Sequence, residues 1–505
     1  MKNIFKYQLV LFTVLLLLWN LFFPIFEGVD EMGHFCSIDY IGHKNKIPNL
    51  LIDDGCFIWH PPLYYALLSP VIKIFDLPQF EPSAVKLNPK ADLLRKGEYA
   101  QYVHNKDELT FKWDALTIQI HILRLFTSLL AILMFVLTWK ISSRLFPKGV
   151  MPNLSLLLFF NPMFLHIFTV ISNVALISLL STIIIFLDLM FAGKKKNNKI
   201  SFIQGLILGL GFITKVSVIS LVPAWLIIMV FGYLKRKYLF SELVLKVAIF
   251  LIGFLISSGW YIVRNIQLYG EIIEANVISK LYGPSHHFLL LDQVGPINYI
   301  NSIVLSLFKT FWSSYGMLTI RFPEIINVFL LIAVLLISFT VFVKRRNLKG
   351  PLIIALIYAS SVSIVLFIMN FKLAAMHAKD LFPAYMPFAL LFGYGLYHAK
   401  DFQNRVNLKV FTSVSLILGS YLFAQVEIVK LLKAILQQQW SGGAFLILTI
   451  AIKSSLVFIA IKLVTSTFRK ANFDSKSVLV LTSLITLVDV IILTASVYLL
   501  YKNFI

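Results

Sequence analysis

Apolar residues occur in long runs along most of the chain, and short polar segments separate these runs. A run of about 20 apolar residues is long enough to cross the hydrocarbon core of a bilayer as a helix. The pattern predicts an all-α polytopic membrane protein with about 13 transmembrane helices, near residues 7–26, 117–140, 151–168, 170–192, 200–214, 217–234, 243–263, 324–343, 351–370, 381–398, 408–425, 443–462 and 478–500.

Two polar segments interrupt this pattern, residues 27–116 and residues 264–323. A long connection within a tightly looped bundle is usually functional. We expect one membrane-embedded domain over residues 1–505, in which 27–116 is an exterior catalytic loop, 264–323 is a second exterior loop, and 324–505 carries the remaining transmembrane helices.

The composition agrees with a membrane protein. Of the 505 residues, 59% are hydrophobic and only 14% are charged, whereas soluble domains carry about 25% charged residues. The mean hydropathy is +0.84. These values exclude an ordinary soluble enzyme and a disordered chain, and they make the lipid bilayer the first expected partner.

The formal net charge of +21 is best interpreted after the basic and acidic residues are assigned to the two sides of the membrane. With the N-terminus of a retained first helix in the cytoplasm, 23 of the 45 basic residues fall in cytoplasmic segments, as the positive-inside rule describes. The segment 27–114 instead carries 13 of the 24 acidic residues. The basic excess is therefore a topology signal, and a nucleic-acid partner is not expected.

An acidic pair and a histidine directly follow the first predicted helix. Asp30, Glu31 and His34 fit on one helical turn at the exterior membrane boundary. Ionisable groups at such a depth are costly and are often functional. A solvated acidic helix start, which complements the helix dipole, is the alternative interpretation.

A second feature of the first loop is the sequence from Trp59 to Tyr65, which reads WHPPLYY. The two prolines favour a helix start, and the apolar stretch that follows to Phe75 is too short for a comfortable span. We expect this stretch to lie in the membrane interface, with Tyr64 and Tyr65 as anchors and His60 at its beginning.

Cations are few on the exterior side, and three of them are candidates for binding an anion. Lys215 lies near the outer end of a predicted span, where a lysine either functions or extends to the interface. Arg264 follows the aromatic pair Trp260 and Tyr261, and a topology anchor is an equally good interpretation. Lys379 precedes the span at 381–398.

Together these motifs resemble the GT-C superfamily of membrane glycosyltransferases, which includes protein O-mannosyltransferases and the aminoarabinose and arabinose transferases. The first-loop Asp-Glu pair and the PPLYY turn carry the resemblance. Further elements in matching order are Arg124-Leu125, Asn161-Pro162, Ser172-Asn173, Gly209 to Lys215, Trp260 to Gly270, Phe311 to Gly316, and Ala378 to Pro383.

The resemblance implies a GT-C-like helix bundle and an enzyme. It implies transfer of a sugar from a polyprenyl-phosphate donor to an acceptor hydroxyl of a glycan, lipid or protein at the exterior face. Asp30 would be the general base of an inverting reaction, with Glu31 and His34 orienting it or the acceptor. Donor phosphate contacts would come from Lys215, Arg264 and Lys379. Supporting or substrate-binding roles would fall to His60, Tyr64, Tyr65, Arg124, Asn265 and Asp380.

Lys379 and Asp380 depart from the superfamily pattern, because an arginine and an aromatic residue are typical there. Because of this departure, a non-catalytic relative of the superfamily remains an alternative interpretation. A transporter or flippase of lipid-linked glycans is the alternative from another class, but its charges would be expected near the bilayer midplane. The polar groups here cluster at one face.

Metal binding and cysteine pairing both remain open from the sequence. The sequence identifies no cofactor with certainty and leaves a divalent metal open, although His34, His60, His104, His286 and His287 form no compact ligand motif. Cys36 and Cys56 share the exterior loop, so they either pair as a disulfide or are independent buried thiols.

We expect a multi-pass protein in a cell membrane, with its active site on the exterior face. The N-glycosylation sequon at Asn153 falls on the cytoplasmic side, and the last residues, up to Ile505, do not form an endoplasmic-reticulum retrieval signal. A prokaryotic plasma membrane is therefore preferred over the endoplasmic reticulum.

Overall fold

A computed structural model of the chain describes residues 2–53, 55–56, 60–89, 100–104, 106–146, 149–191, 197–274, 276–278, 295–316, 320–322, 324–348, 350–373, 377–398 and 475–501. Nearly all of the secondary structure in these ranges is helical. The helices are α1 Lys2–Phe22, α2 Glu31–Lys44, α3 Leu63–Phe75, α4 Lys106–Leu109, α5 Ala115–Leu145, α6 Met151–Leu156, α7 Pro162–Ile167, α8 Asn173–Met190, α9 Asn198–Phe212, α10 Val222–Leu234, α11 Phe240–Tyr269, α12 Pro296–Trp312, α13 Glu324–Val343, α14 Gly350–Leu373, α15 Tyr385–His398 and α16 Ser475–Tyr501.

Shorter elements connect these helices. Turns of 3-10 helix occur at Pro82–Ala84, Leu157–Phe160, Val216–Leu221, Lys344–Asn347 and Ala378–Ala384. Two short antiparallel strands, β1 Ser314–Tyr315 and β2 Ile320–Arg321, form a hairpin after α12, with Ser314 opposite Arg321.

The prediction of an all-α polytopic membrane protein is confirmed. Within the described ranges, eight helical segments are long and apolar enough to cross a membrane. The predicted spans at 408–425 and 443–462 lie outside the described residues, so the count of 13 stays a prediction. The boundaries of the two exterior segments also stay predictions.

The prediction of one continuous helix over 151–168 is wrong. The segment is divided into α6, a 3-10 turn and α7, and the break falls at Asn161, whose backbone is extended. Steric contact with a following proline disfavours helical geometry, and Pro162 follows here. The Asn161 side chain accepts a hydrogen bond from the amide of Met163 and so caps α7.

The interfacial segment after the two prolines forms helix α3, of 13 residues. Tyr64 and Tyr65 are buried in it and face the bundle, although the sequence suggested that they anchor the segment at the membrane surface. The amide of Leu63 donates to the carbonyl of Ile213 at 2.9 Å. This contact fixes the start of α3 against the turn that follows α9.

A fully buried ion pair joins Glu31, at the start of α2, to Arg124 in α5. The guanidinium Nε and Nη2 donate to the two carboxylate oxygens of Glu31, each at 2.7 Å, and both side chains are fully buried. Arg124 also donates to the carbonyls of Phe23 at 2.7 Å and Pro24 at 2.9 Å. One guanidinium therefore fixes the end of α1 and the beginning of α2.

The same carboxylate reaches the region before α8. The amide of Ile171 donates to Glu31 Oε1 at 3.0 Å, and the amide of Ser172 donates to the hydroxyl of Tyr64 at 3.1 Å. The Asn173 amide group donates to the carbonyl of Thr214 at 3.1 Å. The polar contacts therefore run from α2 through α8 to the residue before Lys215.

A second buried network holds residues 100–104 against the end of the first span. Glu27 accepts hydrogen bonds from the amides of Gln101 and Tyr102, and its Oε1 lies 2.9 Å from His104 Nε2. The other ring nitrogen of His104 contacts Glu108. Burial by itself would lower the pKa of His104. The hydrogen bonds and charges of Glu27 and Glu108 have a larger, opposite effect, and the net pKa is about 9.

Replacing Arg124 by Gln is expected to destabilise the protein by about 3–5 kcal/mol, because the Glu31 carboxylate would remain buried without its cation. Arg144→Gln, an exposed arginine near the other end of the same helix, is the matched control. Thermal unfolding of both variants in detergent measures the effect. Equal melting temperatures for the two would contradict the structural role of the pair.

The pKa of His104 predicts a specific dependence of stability on pH. Because the folded pKa lies near 9 and the unfolded value is about 6.5, the protonated histidine stabilises the fold fully below about pH 6.5. This contribution is expected to disappear as the pH rises through 9. Melting temperatures from pH 6 to 10 test this, and His104→Gln should remove that part of the decline.

Candidate active site

Four charged side chains from three distant segments meet at one end of the bundle: Asp30, Lys215, Lys379 and Asp380. Lys379 Nζ forms an ion pair with Asp30 Oδ2, and Lys215 Nζ lies 2.6 Å from Asp380 Oδ1. The lysine side chains are 11% and 10% exposed, respectively. Because each carboxylate holds one ammonium group, the cluster is neutral as a whole.

Local backbone geometry presents each member of this cluster. Asp30 occupies the N-cap position of α2 without a capping hydrogen bond from its side chain, and its backbone is left-handed, with φ of 61°. This conformation is uncommon outside glycine and often marks functional sites. Lys215 is extended, with φ of −160°, between the end of α9 and the next 3-10 turn. Lys379 and Asp380 occupy the 3-10 turn before α15. All four residues therefore lie at helix ends rather than within spans.

The cluster controls the ionisation of its carboxylates. Burial raises the pKa of Asp30, but Lys379 and the nearby His34 lower it more, and the net pKa lies well below the usual range. Burial likewise raises the pKa of Asp380, while Lys215 and Lys379 lower it below the ordinary value. Both carboxylates are therefore ionised at neutral pH.

Two histidines of the first loop stack beside the cluster. The rings of His34 and His60 have centroids 5.9 Å apart, and His34 Nδ1 lies 2.9 Å from the hydroxyl of Tyr65. Burial lowers the pKa of His34 to about 3, although Asp30 opposes this effect. Burial and the charge of Lys215 also lower the pKa of His60. Both rings are therefore neutral at neutral pH.

Tyr64 and Tyr65, adjacent in α3, have different partners. Tyr65 holds His34, whereas the hydroxyl of Tyr64 contacts Thr127 Oγ1 at 2.9 Å and accepts from the amide of Ser172. Tyr64 thus belongs to the framework of α3, α5 and α8, and Tyr65 belongs to the site.

Glu31 has partners outside the charged cluster. Its oxygens are occupied by Arg124 and by the amide of Ile171, and the residue is fully buried. Of the two roles expected for Glu31, orienting Asp30 or orienting the acceptor, these contacts favour the first, because Arg124 and Ile171 occupy the carboxylate oxygens. Both roles stay predictions.

Arg264 is separated from the two site lysines. Its guanidinium donates to the carbonyl of Pro48 at 2.7 Å and lies over the ring of Tyr269. It lines a small cavity of about 30 Å³, and His60 and Tyr65 line the same cavity. The neighbouring Asn265 is buried and donates to the carbonyl of Ile272. Arg264 therefore lines a small pocket together with His60 and Tyr65 of the first loop.

His377 belongs to the site and was not predicted from the sequence. Its Nδ1 accepts from the amide of Lys379 at 3.1 Å, so it caps the 3-10 turn that carries Lys379 and Asp380. The only sequence signal was its position two residues before Lys379, because a capping role depends on backbone geometry. Burial lowers its pKa to about 3.

The two cysteines pair in the structure. Cys36 and Cys56 form a disulfide with a Cα–Cα distance of 5.7 Å. This bond joins α2, two residues after His34, to the segment that leads to His60. The disulfide therefore links the two parts of the chain that carry the stacked histidines.

Metal-ligating groups do not gather within the described ranges, where no set of three or more His, Cys, Asp or Glu side chains could hold an ion. His286 and His287 lie outside those ranges. The structure thus adds no candidate ligand set to the open question of a divalent metal.

A large apolar groove begins beside the cluster. Its volume is about 710 Å³, and its walls come mainly from α12, α13 and α14. Leu381, which follows Asp380, lines it near the site, as do Phe311 and Trp312, and Arg345 lines it beyond α13. The groove therefore extends from the charged cluster along the membrane-spanning helices.

The structure is similar to that of ArnT from Cupriavidus metallidurans. ArnT bound to undecaprenyl phosphate matches with a TM-score of 0.56 and 12% sequence identity, over 96% of this chain and 76% of ArnT. Its apo state matches with a TM-score of 0.52, the same identity and the same coverage. The chain has the GT-C fold. No protein-family profile and no curated protein sequence matches it.

The GT-C fold explains why motifs far apart in the sequence meet. Arg124 and Lys379 contact Glu31 and Asp30 directly, and the amide of Ile171 donates to Glu31. Lys215 joins them through Asp380, the chain neighbour of Lys379. At 12% identity the likeness describes the architecture, while the chemistry must be argued from this chain's own residues.

The disulfide is expected to be present in the protein and to stabilise it. A bridge that closes a loop of 20 residues contributes about 3 kcal/mol in the chain-entropy account. Non-reducing peptide mapping should recover the Cys36 and Cys56 peptides linked, and reduction should lower the melting temperature. A Cys36→Ser/Cys56→Ser variant that melts like the oxidised wild type would contradict the prediction.

Proposed function

We propose that the protein is a glycosyltransferase that moves a sugar from a polyprenyl-phosphate donor to an acceptor hydroxyl at the exterior membrane face. The observation that carries the proposal is the Asp30–Lys379 ion pair, which places a carboxylate next to a cation, two residues before Leu381 of the apolar groove. The GT-C fold, shared with ArnT, supports this assignment.

The groove and the two lysines suit an amphipathic donor. Its walls of Leu, Ile, Val and aromatic residues match a prenyl chain, because apolar burial is roughly proportional to the area removed from water. Lys215 and Lys379 belong to the cluster next to Leu381 of the groove, and they offer ammonium groups to a phosphate, which lysine holds as a point charge. One ArnT structure contains undecaprenyl phosphate.

The resting ion pairs suggest how the base is activated. A donor phosphate would compete with Asp30 for Lys379 and with Asp380 for Lys215, since the same ammonium group serves either anion. As Lys379 turns to the phosphate, the pKa of Asp30 rises toward its usual value and the carboxylate becomes a stronger base.

In the transfer itself, the acceptor oxygen attacks the anomeric carbon as Asp30 removes its proton. The bond between the anomeric carbon and the phosphate oxygen breaks, and the polyprenyl phosphate leaves with the electron pair. Lys215 and Lys379 stabilise the negative charge that develops on the leaving phosphate. Single displacement from the opposite face inverts the anomeric configuration.

The pocket of Arg264 and His60, of about 30 Å³, is much smaller than a typical small-molecule site of roughly 300–1,000 Å³. A sugar would enter it only after the pocket opens, and Arg264 stays a candidate contact for the donor phosphate.

The orientation in the membrane supports an exterior site. Lys235–Lys237 after α10 and Lys344–Arg346 after α13 are at the helix ends opposite those that carry the cluster. Basic segments of this kind face the cytoplasm, so the cluster faces outward. We infer a multi-pass plasma-membrane protein on this basis.

A transporter or flippase is less well supported than an enzyme. The four charges of the site lie together at helix ends on one side of the bundle, whereas alternating access centres on a site near the midplane. Lys379 also argues against a non-catalytic relative, because it supplies a cation, paired with Asp30, where the superfamily pattern has an arginine.

Replacing Asp30 by Asn is expected to reduce sugar transfer by about 100-fold or more, because the amide cannot accept the acceptor proton. A strain that lacks the native gene is complemented with wild type, Asp30→Asn or Asp53→Asn, and its polyprenyl-phosphate sugars are quantified by mass spectrometry. The donor should accumulate in the deletion strain and with Asp30→Asn.

The Asp53→Asn variant is the matched control, because Asp53 lies in the same loop but pairs with the exposed Lys46. It should prevent accumulation as wild type does. If Asp30→Asn inserts normally and also prevents accumulation, Asp30 is not the base. If the deletion strain accumulates no such lipid, the donor class is wrong.

A further inference from the structure

A second cavity lies at the end of the bundle opposite the Asp30 cluster. It occupies about 430 Å³ between α8, α10 and α14. Helix α8 runs from Asn173, near the cluster, to Met190, and Phe191 lines the cavity. Helix α14 begins at Gly350, which also lines the cavity, and runs back toward the cluster. The cavity and the Asp30 cluster are therefore separated by the length of these helices.

The cavity combines apolar walls with a basic mouth. Ile228 and Phe231 of α10 face Ile354 and Ile357 of α14 across it, and Lys235 and Lys237 line it just beyond the end of α10. Neither ammonium group forms an ion pair within the parts of the chain that the structure describes. The charges at the mouth are thus available to an anionic ligand.

The acidic residue of the cavity does not neutralise these lysines. Asp188 lines its inner part, but Gln204 donates to one carboxylate oxygen at 2.9 Å and the Tyr358 hydroxyl donates to the other. Asp188 is also almost completely buried. Its carboxylate is therefore directed to the helix framework rather than to the mouth.

A tight turn places the two lysines beside the cavity. The amide of Lys237 donates to the carbonyl of Gly232 at 3.1 Å, and Arg236 between the lysines is left-handed, with φ of 54°. A side chain at Gly232 would collide with the ring of Tyr238, whose hydroxyl donates to the carbonyl of Met229. The turn therefore packs closely against α10.

We propose that this cavity is a binding site for an anionic diacyl phospholipid from the leaflet at the basic end of the bundle. One acyl chain would lie along the isoleucine walls, and the headgroup phosphate would contact Lys235 and Lys237. Basic residues at the end of membrane helices attract anionic lipids in this way. The role of the lipid is to join α10 to α14, which support Lys215 and Lys379 at their far ends.

This site is distinct from the donor groove. Ile353, Ile354 and Ile357 of α14 line the phospholipid cavity, whereas Ala359, Ser360 and Ser363, farther along the same helix, line the groove. A lipid phosphate at Lys235 is also at the wrong end of the bundle for reaction at Asp30. The inference therefore holds whether or not the proposed transfer reaction is correct.

The test uses the full-length purified protein in detergent, with added phosphatidylglycerol or phosphatidylcholine as the probes. Native mass spectrometry and the melting temperature measure retention and stabilisation. Phosphatidylglycerol is expected to remain bound and to raise the melting temperature, and phosphatidylcholine to do so much less. Lys235→Glu/Lys237→Glu should weaken retention of phosphatidylglycerol by more than about tenfold.

A matched charge control reverses Lys140 and Arg346, which are exposed at the same end but do not line the cavity. Lys140→Glu/Arg346→Glu should retain phosphatidylglycerol as wild type does. Ile357→Trp, which fills the cavity without changing charge, should lose it and so tests the site independently of the lysines.

Three results would overturn the proposal. The first is equal retention of the two phospholipids by wild type. The second is an equal loss in the charge control and in the lysine variant, which would indicate general surface attraction. The third is displacement of phosphatidylglycerol by a polyprenyl phosphate in direct competition, which would make the cavity an entry site for donor lipid.

Discussion

The buried contact between Glu31 and Arg124 is the interaction on which the site depends. Two charged groups without solvent access must satisfy each other, because an unpaired charge at that depth costs several kcal/mol. Arg124 meets this requirement with two parallel hydrogen bonds to Glu31, and its remaining donors hold the carbonyls that end α1. The path of the chain between α1 and α2 is thereby set.

This constraint explains why two adjacent carboxylates have different roles. With Glu31 directed inward, Asp30 adopts a left-handed backbone and faces the opposite way, toward Lys379. The start of α2 therefore anchors the fold through Glu31 and orients the candidate base, Asp30. The cost of the unusual conformation at Asp30 is offset by the rigid contacts of its neighbour.

The bundle is polarised from end to end. One end carries paired charges, a disulfide and histidines kept neutral by burial, while the other carries basic turns beside an apolar cavity. Helices α8 and α14 connect the two ends, and α14 lines both the groove and the second cavity. A lipid at the basic end would thus bear on the same helices that support the candidate active site.

The sequence by itself determined that this is a membrane protein, the position of most of the spans and the candidate functional residues, because apolar runs and isolated charges are local properties of the chain. Asp30, Lys215 and Lys379 were all identifiable in this way. The break at Asn161 and Pro162 also has a local cause, because the proline disfavours helical geometry at the residue before it. The surrounding apolar residues nevertheless predicted one continuous span.

Only the tertiary structure decided how these residues combine. Asp30 and Lys379 are 349 positions apart, and no periodicity indicates that Lys379 takes Asp30 while Lys215 takes Asp380. The same holds for the inward direction of Glu31, the separate pocket of Arg264 and the capping role of His377. Each depends on which groups share a buried volume, and long-range packing sets that volume.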